Sequence, residues 1–215
     1  MHAKVKTFCR YGARLITVDV EVNISSRGLP YFDIIGMPGK TIKESRQRIR
    51  LAFHNCGLVF PVKRIVVSLS PGEIPKEGTH FDVPIAAAII LAMLNYNLDY
   101  TLYFYGELNL DGNIKVNNGI FAVLLENTST PKELYFTGKL DWPDIIPVSS
   151  NIFMSRSLRD LQALLEQLQK KGFLPAQIQE ACWVVRQNFN QTDFDQILGC
   201  ISAKRAILMS IIGKL

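Results

Sequence analysis

The sequence predicts an α/β fold, and three observations carry that expectation. Stretches of alternating β-branched residues recur between stretches with helical spacing. One segment, Asp82 to Leu94, is apolar all round and must be a helix buried on every side. Hydrophobic residues make up 48% of the 215-residue chain and charged ones 20%, a balance suited to a packed core and too apolar for general disorder. No fixed-period repeat or low-complexity tract is visible.

Val5 to Tyr11 and Leu15 to Val22 read as an opening hairpin, the second strand alternating through Ile16, Val18, Val20 and Val22. After the Gly28-Leu29-Pro30 break, Tyr31 to Ile35 makes a short third strand. A helix follows over Thr41 to Asn55, with Thr41 as expected N-cap and Glu44 completing a capping box. Its apolar side is Ile42, Ile49, Ala52 and Phe53, while Lys43, Arg46 and Arg50 form a positive stripe on another side. Arg64 to Leu69 is a β-branched strand that leads into the loop SPGEIPKEGTH and the buried helix, where Pro84 fits the first turn. Tyr103 to Leu110 and Asn113 to Val116 flank Asp111-Gly112, a type I′ hairpin signal. A helix over Gly119 to Asn127, strands at Glu133 to Thr137 and Ile152 to Met154, and a helix from Ser157 to about Gln167, opened by a Ser157/Asp160 capping box, complete the domain.

The net charge of +5 is unevenly placed: residues 1 to 82 hold 13 Lys and Arg against 7 Asp and Glu, and residues 83 to 215 hold 11 against 12. That asymmetry suits phosphate backbones or acidic protein surfaces, although a solvated helix face is the ordinary role of such a stripe. Cys9, Cys56, Cys182 and Cys200 form no C-x-x-C, and His2, His54 and His80 have no metal-ligand spacing, so neither a zinc site nor a disulfide framework is expected. The N-terminus has no apolar signal region, and Val83 to Leu94 falls short of the ~20 residues of a membrane span. A cytoplasmic protein with no membrane contact is expected.

Gly39-Lys40-Thr41 invites a phosphate-loop reading, but that motif needs its first glycine where this chain has Ile34. Pro75 to Pro84, PKEGTHFDVP, resembles the nucleophile loop of a Lon-type protease, with His80 where serine would stand. Gly106 to Asn127 resembles the hairpin and helix carrying that protease's lysine base, with Phe121 in the lysine's place. Together with FDIIGMPGKTIKESRQRIR (Phe32 to Arg50) and PVKRIVVSLSPGEIPKEGTHFDVPIAAAI (Pro61 to Ile89), these segments resemble the N-terminal domain of the Mg-chelatase-like AAA+ proteins of bacteria, the ComM/YifB family, over residues 1 to 165.

The resemblance implies a ribosomal protein S5 domain 2-like fold, shared with the Lon proteolytic domain: a mixed sheet with packed helices. DFDQILGCISAKRAIL, from Asp193, resembles the start of the family's ATPase module, with Cys200 where glutamine is usual. The expected organisation is a Lon-like domain over 1–167, a connector over 168–191 and the start of a truncated AAA+ module over 192–215. The chain ends before the family's phosphate-binding loop would be due, so ATP and Mg are implied only for a full-length parent, as is a homo-hexamer.

By resemblance the domain is a non-catalytic accessory of a DNA helicase that promotes branch migration in natural transformation. Lys43, Arg46, Arg50, Lys63 and Arg64 are the candidate contacts to single- or double-stranded DNA, because cations neutralise phosphates without reading bases. An oligomerisation or protein-interaction platform without DNA binding is the alternative. A Ser peptidase would have to recruit Ser68, Ser70, Lys76 or His80 without an acidic orienter. Metal insertion would need a hard-ligand cluster that the scattered carboxylates do not supply.

Overall fold

The computed structural model describes residues 1–12, 14–97, 99–117, 119–120, 132–139 and 151–172. Strands β1 (His2–Tyr11) and β2 (Arg14–Ser25) form the antiparallel hairpin, both longer than the apolar alternation alone predicts. The added residues carry the alternation on through Ala3 and Ile24, both buried, and polar pairs support them. Lys4 reaches Asp19 at 2.8 Å and Glu21 at 3.1 Å, Lys6 reaches Asp19 at 3.0 Å, and the Met1 ammonium donates to the Ile24 carbonyl at 2.9 Å. Such cross-strand pairs add to the hydrophobic pairing of the ladder.

β3 (Tyr31–Ile35) runs parallel to β4 (Arg64–Ser70), which is antiparallel to β2. β5 (Thr101–Tyr105), β8 (Glu133–Thr137) and β9 (Ile152–Met154) extend the other side in parallel, giving the order β3-β4-β2-β1-β5-β8-β9. Four of the six neighbouring pairings are parallel, so the sheet is mixed, as expected. Period-two alternation sends Val18, Val20, Val22 and Ile24 of β2, with Ile65, Val67 and Leu69 of β4, into the main core.

Among the described residues three helices, α1 (Lys40–Asn55), α2 (Asp82–Leu94) and α3 (Leu158–Lys171), close that core. α2 has the predicted boundaries and is buried from Asp82 through Ala92, touching β1, β2 and β5 as well as α1 and α3. No helix among the described residues is long and apolar enough to cross a membrane. A second cluster, Phe8, Tyr103, Tyr105, Ile120, Tyr135 and Ile152, uses the alternate positions of β1, β5, β8 and β9, with Tyr103 stacked between Phe8 (5.2 Å) and Tyr135 (4.7 Å).

Several local expectations are corrected. α1 begins at Lys40 with Gly39 as N-cap, and no side chain caps it, so the Thr41/Glu44 box does not form. The Gly39 N–H donates to the Lys76 carbonyl (2.9 Å) and Lys76 N–H to the Met37 carbonyl (3.2 Å), so loop-to-loop pairing sets the helix start. The strand read as Tyr103 to Leu110 breaks at Gly106. Gly106 N–H donates to the His80 carbonyl (3.2 Å) and its carbonyl accepts Val83 N–H (3.0 Å), which pulls the chain out of the sheet. β6 (Glu107–Leu108) and β7 (Ile114–Lys115) then form a separate ribbon.

The ribbon's turn is not type I′, because among described non-glycine residues only Met37 and Asn95 have positive φ and Asp111 therefore does not. Gly112 N–H closes onto the Asn109 carbonyl (3.0 Å), and the tip docks on α1 and α3. Asn55 Nδ2 donates to the Leu110 carbonyl (2.7 Å), Leu158 N–H to the Gly112 carbonyl (2.9 Å), and a Cβ on Gly112 would fall 1.8 Å from Cys56 Sγ.

The Ser157/Asp160 box does form, at 3.2 and 3.1 Å, but α3 continues beyond Gln167 to Lys171, so residues 168–171 are helix rather than connector. Leu168 is fully buried and Gly172 ends the helix in the left-handed region. Beyond Ile120 the helix expected over 119–127, with Phe121, lies outside the described residues. So do the remainder of the connector and the 192–215 segment, with Cys182 and Cys200.

One ion pair locks the helices together. Arg48 Nε and Nη2 donate to the two carboxylate oxygens of Asp82 at 2.8 and 3.0 Å, and Asp82 is wholly buried at the first position of α2. Arg48 Nη2 also meets the Thr41 carbonyl and Ser45 Oγ, each at 3.0 Å, and Asp82 accepts Leu108 N–H at 3.3 Å. Burial lifts the Asp82 carboxyl above its ordinary range, and the Arg48 guanidinium opposes that lift. Arg48→Met should cost about 3–5 kcal/mol in urea unfolding by leaving a buried carboxylate unpaired, and adding Asp82→Asn to it should recover a large part.

Candidate functional site

Two places carry the residues that the sequence singles out. At the first, His80 lies in a 3-10 turn, Thr79–Phe81, immediately before α2. Its Nε2–H donates to the Phe8 carbonyl at 2.8 Å, its ring stacks on Tyr105 with centroids 4.5 Å apart, and Phe81 closes in at 4.7 Å. Gly78 turns the chain at φ +113, where a Cβ would strike the imidazole at 2.6 Å. Burial pushes the His80 pKa down, against the smaller pull of the Phe8 carbonyl. His80 is a neutral packing residue held in an aromatic slot.

The neighbouring candidates do not assemble around it. The Lys76 ammonium is fully buried and donates to the carbonyls of Gly36 (3.0 Å) and Pro71, and burial lowers its pKa. Ser68 and Ser70 stand opposite Glu21 and Asp19 in the β4–β2 ladder. Among the described residues no serine hydroxyl shares a hydrogen bond with Lys76 or His80, so the nucleophile–base contact that acyl transfer needs is not made there.

The second place is the edge of the molecule formed by α1, β3 and the start of β4. Lys43, Arg46 and Arg50 do lie together, and with Lys40, Glu44, Gln47 and Phe32 they line an open depression of about 410 Å³. Arg46 Nη1 pairs with Asp33 of β3 at 3.0 Å, and its Nε donates to the Lys43 carbonyl at 3.1 Å. The Arg50 guanidinium sits over Phe32 and Phe60, 5.6 and 5.7 Å from the ring centres, which anchors its stem while the residue stays exposed.

Arg64 is the register partner of Tyr31 on β3, and the preceding Lys63 carbonyl accepts Tyr31 N–H at 3.3 Å. Of the five sequence-selected cations, the structure brings Lys43, Arg46 and Arg50 into one depression and places Lys63 and Arg64 at the start of β4, beside Tyr31 in the ladder, and it adds two residues that sequence reasoning passed over. Lys40, set aside with the failed phosphate loop, extends the same helical stripe by one turn toward the N-terminus. Tyr31, read only as a strand residue, is exposed between Arg46 and Arg64. Lys40, Lys43, Arg46 and Arg50 share the depression with Glu44, and Arg46 is paired with Asp33. An edge of this kind attracts polyanions, and its partly anchored guanidinium groups are poised for phosphate oxygens.

The family model described as subunit ChlI of Mg-chelatase matches residues 20–138. Among similar proteins, competence protein ComM of Haemophilus influenzae is 31% identical over 204 residues, covering 94% of this chain and 39% of that protein. The YifB proteins of Escherichia coli and Salmonella typhimurium are 39% and 40% identical over 132 and 117 residues, covering 60% and 53% of this chain and 26% and 22% of theirs. The chain therefore spans well under half the length of these relatives.

The buried imidazole makes stability depend on pH. An unfolded His80 titrates near 6.5 and the folded one below it, so the unfolded state binds more protons in that window. Stability should be full above about pH 7 and fall as the pH drops toward 5, by up to about 1.4 kcal/mol per unit. Urea midpoints measured against pH should show that slope in the native chain and a flatter one in His80→Phe.

Proposed function

The chain belongs to the family of the ChlI subunit of Mg-chelatase, and we propose that within it the described domain is a non-catalytic DNA-contacting domain of a ComM-like protein. The observation that carries this reading is the α1–β3–β4 edge, where Lys40, Lys43, Arg46 and Arg50 line one depression and Lys63 and Arg64 begin the strand that pairs with β3. Such an edge binds the sugar–phosphate backbone by charge neutralisation and counterion release, without choosing a sequence. The likeness to a competence protein supports DNA as the polyanion.

In this reading the domain guides DNA to an AAA+ motor that drives branch migration during natural transformation in the cytoplasm. ATP and Mg belong to that motor and a hexamer to its complete form, not to the residues described. The His80 corner takes no chemical part. In this reading a packed imidazole stands where the resembled protease has its serine.

Binding of labelled DNA to the 215-residue chain across a salt series tests the reading. Affinity should fall steeply with salt, and Lys43→Ala combined with Arg46→Gln and Arg50→Gln should weaken it for every sequence alike. The log–log salt slope should become shallower by about 0.9 for each duplex phosphate that the variant no longer neutralises. No binding at about 50 mM salt would instead support a protein-interaction platform.

A further inference from the structure

Resting on that reading of the basic edge, we propose that Tyr31 is a stacking platform for an unpaired base, so that the edge selects single-stranded over duplex nucleic acid. In β3, alternation buries Phe32 and Ile34 and turns Tyr31, Asp33 and Ile35 outward. Tyr31 is 48% exposed, against 4% for Phe32. A ring of that size at the start of an edge strand gains nothing from the core. Phe32 and Phe60 cannot serve a base, because Arg50 already lies over both. Of the two exposed tyrosines among the described residues, Tyr11 ends β1 and only Tyr31 belongs to the basic edge.

Asp33, two residues on along the same face of β3, is paired with Arg46 at 3.0 Å, and its carboxylate raises the Tyr31 phenol above its ordinary range. Arg64 flanks it across the ladder. Leu29, 85% exposed, and Val62, 82% exposed, lie two residues before Tyr31 and before its ladder partner Arg64, adding apolar surface beside the ring. An aromatic face set among cations is the arrangement that binds single strands: phosphates meet the guanidinium groups while one base leaves its neighbours and stacks. A duplex keeps its base faces paired and buried, so it can use the cations alone.

The test compares fluorescence anisotropy of the 215-residue chain with a labelled oligothymidylate of about 20 nucleotides and a duplex of equal length. Tyr31→Ala should weaken the single strand roughly 5- to 150-fold and change the duplex less than about twofold, with the salt slope unaltered. Tyr31→Phe, which keeps the ring and loses the hydroxyl, should stay within about twofold of the native chain on both. A 5-iodouracil oligonucleotide irradiated with the unmodified chain should give an adduct at Tyr31, which needs no variant to fold.

Equal loss on both nucleic acids, no loss on either, a Tyr31→Phe defect as large as that of Tyr31→Ala, or an adduct only at other residues would overturn the proposal. Failure of the native chain to bind either nucleic acid would overturn both this inference and the basic-edge reading. Equal salt-sensitive binding of both that ignores Tyr31→Ala would overturn this inference alone.

Discussion

The contact between Arg48 and Asp82 sets the geometry on which the rest of the domain depends. A bidentate pair buried in a helix interface contributes little net stability, because the cost of removing both charges from water offsets most of their attraction. Its effect is orientational. At about 100° per residue, turning Arg48 inward toward α2 puts Lys43, Arg46 and Arg50 on the opposite flank of α1, with Ile42, Ile49, Ala52 and Phe53 on the arc between. The same carboxylate accepts the backbone of Leu108 and so fixes the ribbon that leaves the sheet at Gly106. Helix rotation, ribbon position and the direction of the basic stripe are therefore settled by one buried acid.

Much of this architecture can be read in the chain itself. β-branched alternation marks β1 to β4, and a continuous apolar run marks α2 to the residue, because burial on all sides leaves no other composition possible. The two capping boxes show where such reading stops. Ser157 and Asp160 close theirs because the ribbon tip that docks there takes the Leu158 N–H and leaves the Ser157 and Asp160 N–H groups to the box, whereas Thr41 and Glu44 do not, because the pairing of Gly39 N–H with the Lys76 carbonyl starts the helix at Lys40. The break at Gly106 has the same cause, a distant backbone partner on the chain before α2. Local patterns predict local hydrogen bonds and are blind to a loop that is far away in sequence.

The candidate site divides along the same line. The stripe on α1 follows from helical spacing, and the place of Arg64 beside Tyr31 needs only that β3 and β4 pair. Which cations are already engaged cannot be read from spacing: Arg46 is held by Asp33 and Arg50 by two phenylalanines, and both facts depend on the third dimension. At the other corner the presence of His80 is legible, but its stacking on Tyr105 and its bond to the Phe8 backbone are not. Because His80 fills that slot, His80→Ser would leave a void beside Tyr105 and Phe81.

Lys76 joins the turn after β3 to the segment after β4 through a charged group bonded to two main-chain oxygens, Gly36 and Pro71, and shielded completely from water. Amine-directed reagents such as succinimidyl esters or acetylating agents have no route to it while those two segments stay joined. A covalent footprint of the folded protein would pass over this side chain, and its labelling would begin only as the segments separate. Lys76 is in that sense an internal tracer, silent in the closed molecule and readable when the clasp opens.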